Sequence, residues 1–425
     1  MTFQRLIATA SEAVGGRVRM VASTILLQYS SAVITLLVNL WFANNLTKEE
    51  FGVVGFGLAI ATLFGTLAIF GTERSIVRDL IQAKEGINQI FLAFVSLRGI
   101  ASAIAFLGLL IWISQKDQGE GSNAAILLFA LSGLLNFLST KGWFDAKLEM
   151  NIYSRFLLIE KVLYALLLVL ALSNNLELRD SFAIAMCLLS ARVLVLGAQW
   201  RRVSATLQPT LTNLWPNILW VARGNVLIFS AALANLAAPY LNQLILGQLL
   251  GFAALASYFA AFQLMAAVQL LQQIGTRLIS PRIAALTDRE SLTRALGGEF
   301  RNLVGATTLI ITAIVLPIML LSPYLFEWIL PASYADSLPI FQILCLSIVF
   351  HGIALNTSQF LIGLRLNTLY LQFCIARGLI AIALGFVLVS TYGVIGVAIT
   401  LLLVRTVSAC LLYLYTRRYI EKLPA

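Results

Sequence analysis

Five basic side chains, Arg98, Lys161, Arg192, Arg377 and Arg405, stand inside long apolar runs, and Glu160 is the only carboxylate among them. A charge at mid-membrane costs roughly 2.5–3.5 kcal/mol on an insertion scale, so each of these residues needs a partner or water. Five cations against one anion leave the apolar interior at net +4. Glu160 and Lys161 are neighbours and point about 100° apart on a helix, which argues against a mutual pair. Cations without protein counter-ions suit a water-filled cavity that awaits an anion, held through charge-assisted hydrogen bonds. Snorkelling to the headgroups is the competing account, and it absorbs one or two of the five. Glu160 and the single histidine, His351, are the intramembrane groups able to carry a proton.

Uncharged polar residues follow helical spacing. Thr24, Gln28, Ser31, Thr35 and Asn39 fall on one helix face in steps of four, three, four and four. One or two such residues serve as glue between packed helices; five in a row favour a wet cavity. Asn235, Pro239 and Asn242 share a face further on, with Pro239 able to break the backbone ladder. Gln269, Gln272, Gln273 and Thr276 form another stripe, and Ser347, His351 and Ser358 a third. Such amides and hydroxyls match sugar hydroxyls without strong charge. No metal site is expected, since Cys187, Cys345, Cys374 and Cys410 are scattered singly and one histidine cannot build one. No catalytic group and no cofactor are expected either.

These residues need an all-helical membrane scaffold. Of 425 residues, 60% are hydrophobic and only 11% charged, whereas soluble domains are about a quarter charged. Apolar runs long enough to span fall at 21–43, 51–72, 90–113, 123–142, 154–173, 181–200, 225–248, 252–276, 303–325, 338–362, 367–390 and 393–415. With both termini inside, the inner segments hold 21 Lys and Arg and the outer loops only Lys48, Lys116 and Arg179, which fixes a cytoplasmic location for both ends. The net charge of +10 therefore lies at membrane edges, and nucleic acid is not a partner. The first run is too long for a cleaved signal and lacks a clear cleavage site.

Twelve runs divide into residues 1–205, a linker at 206–224, and residues 225–425. In the linker, Leu207, Leu211, Leu214, Ile218 and Val221 repeat at helical spacing with Pro209 and Pro216 as breaks, so a surface-lying segment is expected. The connection 277–302 reads similarly. Six spans per half return the chain to its starting side, so any repeat is parallel. Gly71-Thr72 and Arg78 recur 204 positions later as Gly275-Thr276 and Arg282.

Leu46-Thr47-Lys48-Glu49-Glu50-Phe51-Gly52 resembles the "L-G-x-E-E-[YF]-G" opening of polysaccharide and O-antigen flippases. These belong to the multidrug/oligosaccharidyl-lipid/polysaccharide (MOP) exporter superfamily. Gly142-Trp143-Phe144-Asp145-Ala146-Lys147-Leu148-Glu149-Met150 is similar to their "W-F-x-Q-G-x-E-K-M" segment, with Ala146 among the departures. Tyr240-Leu241-Asn242-Gln243, Leu246-Gly247 and Ser257-Tyr258 resemble "Y-x-D-x-x-x-L-G…G-x-Y", with Asn242 or Gln243 in place of the usual acid; Pro281-Arg282 also fits.

The resemblance implies a MATE-like transporter of two six-helix lobes around a central cavity. Its cargo would be an undecaprenyl-diphosphate-linked glycan, a repeat unit of O-antigen, capsule or exopolysaccharide. This would move from the cytoplasmic to the periplasmic leaflet of a bacterial inner membrane by alternating access, with membrane lipid and a polysaccharide polymerase as partners. Family members place cations in the central cavity, a role carried here to Arg98, Lys161 and Arg192 first, then Arg377 and Arg405. A multidrug or ion antiporter of the same superfamily is the alternative, although cationic drugs call for carboxylates. A membrane-embedded enzyme needs longer outer loops than these.

Overall fold

Apolar runs in a bilayer must satisfy their backbone internally, and a chain with this pattern does so as helices. A computed structural model describes the backbone of residues 3–73, 75–82, 86–115, 120–173, 181–207, 213–285, 289–363 and 366–421. Side chains are described over the same ranges except 3–21, 120–121, 172–173, 271–299, 303, 359, 362–363 and 420–421. Among the described residues there are fifteen α-helices and no strand. They are α1 (Phe3–Asn45), α2 (Lys48–Ile69), α3 (Ser75–Gln82), α4 (Ile87–Ser114), α5 (Glu120–Leu134), α6 (Lys141–Ala146), α7 (Met150–Ser173) and α8 (Ser181–Ser204). There follow α9 (Leu214–Leu236), α10 (Asn242–Leu250), α11 (Phe252–Ala285), α12 (Arg289–Ile329), α13 (Ser337–Gly363), α14 (Asn367–Tyr392) and α15 (Val394–Glu421).

Eleven stretches among the described residues are long and apolar enough to cross a membrane. Each matches one of the twelve expected runs. The remaining run, 154–173, lies in α7, a continuous helix of 24 residues whose hydropathy is interrupted by Arg155, Glu160 and Lys161. Two of the eleven combine elements: α5 and α6 lie in one stretch, Ser122–Ala146, and α9 and α10 in another, Leu214–Leu250.

The chain divides into two units by its internal contacts. Unit 1 comprises Met1–Val38 and Phe64–Phe229; unit 2 comprises Asn39–Leu63 and Ser230–Ala425. In unit 1, α5 and α7 pack on α8, and α3 packs on α6. A buried cluster of Ile76, Leu80, Phe91, Phe94, Trp143 and Phe144 takes in Ile218 and Val221 as well. Residues 214–224 are thus the first turns of α9 and not a separate surface segment. Pro216 sits in the first turn of that helix, where a missing N–H breaks no ladder bond; residues 208–212, with Pro209, lie outside the described residues. The expected segment at 277–302 is divided between the end of α11 and the start of α12, and its side chains up to 299 are likewise outside the described ones.

In unit 2, α13 packs on α11, α12 and α15, and α14 on α15. The start of α2 belongs to this unit and carries the first family-like motif. Thr47 and Glu50 form a capping box: the Thr47 N–H donates to Glu50 Oε2 at 2.8 Å, and the Glu50 N–H to Thr47 Oγ1 at 3.3 Å. Phe51 then packs on Phe259 (ring centroids 5.2 Å apart) and edge-on against Tyr334 (6.0 Å), with Lys48 over the Tyr334 ring. The motif is a helix start and a packing anchor.

Candidate functional site

Unit 2 contains a cavity of about 320 Å³ walled by α9, α11, α13, α14, α15 and the turn after α9. Five expected site residues line it: Asn235, Gln269, His351, Arg377 and Arg405. The turn is a π-helical one, Ala237–Leu241, with Pro239 at its centre. Proline has no N–H to give the preceding turn, and one residue too many per turn is the local answer. This bulge puts Pro239 and Tyr240 on the cavity wall.

The hydrogen bonds of both cavity guanidinium groups go to neutral acceptors among the described residues. Arg377 donates from Nη2 to Asn235 Oδ1. The approach of α9 to α14 that allows this requires Gly378, where a Cβ would meet Ala234. Arg405 donates from Nη1 to Ser347 Oγ at 2.9 Å and from Nη2 to Gln269 Oε1 at 3.3 Å. No Asp or Glu is among the described residues that line the cavity. Two guanidinium groups, a histidine and two amides, with no acid among the described lining residues, have the chemistry that complements a small polyanion. Buried cations retain donors for it, since a guanidinium has five N–H groups.

The cations of unit 1 are placed differently. Here α5 ends at Leu134 and a 3-10 turn, Leu135–Leu138, leads to α6. A break of this kind inside a membrane stretch frees backbone groups that neighbours must satisfy. Arg98, 1% exposed, donates from Nη1 to Ser139 O at 3.0 Å and from Nε to Thr72 Oγ1 at 2.7 Å. Trp200 Nε1 donates to Leu138 O at 2.8 Å, and Thr140 Oγ1 to Gln199 Oε1 at 2.8 Å. Arg192 donates to Asn136 Oδ1. Both arginines therefore hold the helix break. Thr72 is presented by a turn in which Phe70 and Gly71 both have positive φ, 51° and 68°, with Phe70 stacked on Phe229 at 4.4 Å.

Lys161 and Glu160 do pair, with Nζ to Oε1 at 3.2 Å. The flexible lysine stem closes the angle that adjacent positions open on the helix, so the sequence argument against this pair fails. Glu160 is buried and Lys161 half-buried.

The polar face of α1 is partly self-satisfied. Ser31 and Thr35 donate to Leu27 O and Ser31 O of their own helix, at 2.8 and 2.9 Å. Gln28 reaches Ser154 of α7 at 3.5 Å; Thr24 is half-buried, and Asn39 is buried in unit 2. Leu26, Val33 and Leu37 are exposed between the polar positions. Asn242 is fully buried and donates weakly to Ala381 O at 3.5 Å; it is not among the lining residues of the cavity. Gln272, Gln273 and Thr276 lie outside the described side chains. Sequence reasoning missed Tyr240 as a cavity wall, and Asn136, Ser139 and Thr140 as a membrane break. The polar string Asn136…Ser139-Thr140 within an apolar run was the available sign. Among the described residues no three His, Cys, Asp or Glu side chains gather to hold a metal ion.

Residues 18–287 match the model of a family described as polysaccharide biosynthesis protein. No curated protein matches the chain by sequence. Among solved structures, the chain resembles an inward-facing multidrug resistance MATE family transporter of the MOP superfamily, with TM-score 0.69 and 18% identity over 94% of this chain and 100% of that one. It also resembles the lipid II flippase MurJ in an inward closed conformation, with TM-score 0.72 and 13% identity over 94% of this chain and 88% of the other. A third is a MOP superfamily transporter from Pyrococcus furiosus, described as having a binding pocket of reverse polarity that suggests a different function. Its TM-score is 0.56 and its identity 16%, with 95% of both chains covered.

The fold is thus that of MOP-superfamily transporters, and the chain is a multi-pass membrane protein. It belongs to the polysaccharide biosynthesis protein family.

Proposed function

We propose that the protein moves an undecaprenyl-diphosphate-linked oligosaccharide from the cytoplasmic to the periplasmic leaflet of a bacterial inner membrane, by alternating access and with both termini in the cytoplasm. The cargo would be a repeat unit of O-antigen, capsule or exopolysaccharide, which a polysaccharide polymerase then consumes. One observation carries the reading: Arg377 and Arg405 share a 320 Å³ cavity with amides, a histidine and no described carboxylate. A diphosphate flanked by a lipid and a sugar carries two negative charges, and two guanidinium groups match them. Asn235 and Gln269 supply neutral hydrogen-bonding groups of the kind that sugar hydroxyls accept and donate to. Lys161, half-buried beside Glu160, is assigned a secondary part, while Arg98 and Arg192 hold the unit 1 break.

The test is complementation of polysaccharide export in a strain lacking the gene. Arg377→Ala and Arg405→Ala should each reduce export at least tenfold with normal membrane insertion, and Arg→Lys should retain part of it. Lipid-linked repeat units should build up inside, with little change in drug sensitivity. Normal export by both Ala variants would end this assignment. Drug hypersensitivity without glycan build-up would instead favour a multidrug antiporter.

A further inference from the structure

Unit 2 carries a second hollow, about 740 Å³, formed by α12, α13 and α15. It stands apart from the cationic cavity and does not depend on what that cavity binds. Its floor is made of small side chains, Gly305 and Ala313 on α12 and Ala409 on α15. A Cβ added to Gly305 meets nothing within 4 Å, so no protein atom fills the groove at that point. Thr308 and Thr312 also line it, yet their hydroxyls donate to Val304 O at 2.7 Å and Thr308 O at 2.8 Å of their own helix. The polar atoms of that wall are satisfied within α12, and the groove is apolar along its length.

One end differs. Arg301 is exposed there and has no ion-pair partner among the described residues. Tyr413, also at the groove, stacks on Phe300 with ring centroids 5.3 Å apart. From Arg301 to Leu316, α12 rises about 22 Å at 1.5 Å per residue. Half of a ~30 Å hydrocarbon core is about 15 Å. At about 22 Å the groove is longer than one ~15 Å leaflet and shorter than the ~30 Å core, with apolar walls and a positive end.

We propose that this groove holds one hydrocarbon chain of an anionic phospholipid whose phosphate pairs with Arg301. Charge chooses the headgroup: an exposed guanidinium gains from a net negative lipid and little from a zwitterionic one. Length chooses the chain, since a fatty acyl chain spans one leaflet, within the groove's length, and a polyprenyl chain is much longer. The groove is shaped by small residues of α12 and α15, so filling it should expel the lipid without touching Arg301.

Native mass spectrometry of the full-length protein tests this, with phosphatidylglycerol, phosphatidylethanolamine and undecaprenyl phosphate as separate probes. Phosphatidylglycerol should be retained at least tenfold over phosphatidylethanolamine. Arg301→Ala should remove that preference, and Gly305→Leu should remove retention of either lipid. A readout on the unaltered chain covers the case in which Gly305→Leu does not fold. Cys410 lines the groove and is exposed, whereas Cys345 and Cys374 are buried, so phosphatidylglycerol should slow its alkylation several-fold. Equal retention of the two phospholipids, an unchanged preference in Arg301→Ala, or alkylation of Cys410 indifferent to lipid would each overturn the proposal. Selective retention of undecaprenyl phosphate, lost in Gly305→Leu, would overturn it in favour of a polyprenyl site.

Discussion

Both units place an arginine on their last span against a polar side chain two spans earlier. Arg192 meets Asn136 across 56 positions, and Arg405 meets Ser347 across 58. One span before each of those arginines the units diverge. In unit 1 the cation is Lys161, paired with Glu160 at 3.2 Å; in unit 2 it is Arg377, bonded to the Asn235 amide. Unit 1 also uses Arg98 on two acceptors beside a helix break. Unit 2 breaks its helix with Pro239 instead, which hands no carbonyl to an arginine and opens a cavity wall. Like residues thus serve opposite ends. Unit 1 commits Arg98 to a freed carbonyl and Lys161 to a carboxylate, whereas Arg192, like Arg377 in unit 2, meets a neutral amide.

The sharpest way to break this contrast is to give unit 2 the acid that unit 1 has. Asn235→Asp puts a carboxylate on Arg377 with almost no change in volume. An incoming anion must then displace or repel that acid, at a cost of about 2–3 kcal/mol for a close buried charge, or roughly 30- to 150-fold in Kd. Binding of a diphosphate-bearing lipid to purified protein reads this directly, and unchanged affinity would show that Arg377 does not face the ligand.

Arg98→Ala addresses the other side. It removes two hydrogen bonds and leaves Ser139 O without its donor, which costs about 1–3 kcal/mol of stability. Thermal unfolding should shift down, while export per folded molecule stays within about twofold, because the residue holds the break and not the cargo. A stable Arg98→Ala protein that has lost export would place Arg98 in the transport site after all.

The difference between the units bears on how far sequence carries. Spans, their order and the polar bulge at Pro239 were legible, because long apolar runs and a mid-run proline leave few alternatives. The basic residues were found too, since a charge in an apolar run stands out by type alone. Their roles were not. Asn235 and Asn136 look alike in sequence, yet one receives a cavity arginine and the other an arginine that holds a helix break; only the course of the backbone tells them apart. The family-like motifs at Thr47–Gly52 and Trp143–Phe144 prove to be a capping box and buried aromatic packing, while the third begins at Tyr240 on the cavity wall. Lys161 was misjudged for a simpler reason: helix angle was weighed without the reach of the side chain.

Removing the acid from unit 1 gives the smallest expected effect and the finest discrimination. Glu160→Gln keeps the shape and releases Lys161, so unit 1 gains one unit of positive charge. The pair is open to water on the Lys161 side only, 28% against 8% for Glu160, and screening from that side holds its worth to about 1 kcal/mol. Anion affinity should therefore rise by less than about fivefold, and the gain should fade as salt is raised because exposed charges are screened within ~8–10 Å. Stability should hardly change. If Glu160→Gln instead folds normally and exports nothing, a charge pair of structural worth cannot be the reason. Glu160 would then be a group whose protonation drives the cycle, and the two units would differ in what each carries: the anion in unit 2 and the proton in unit 1.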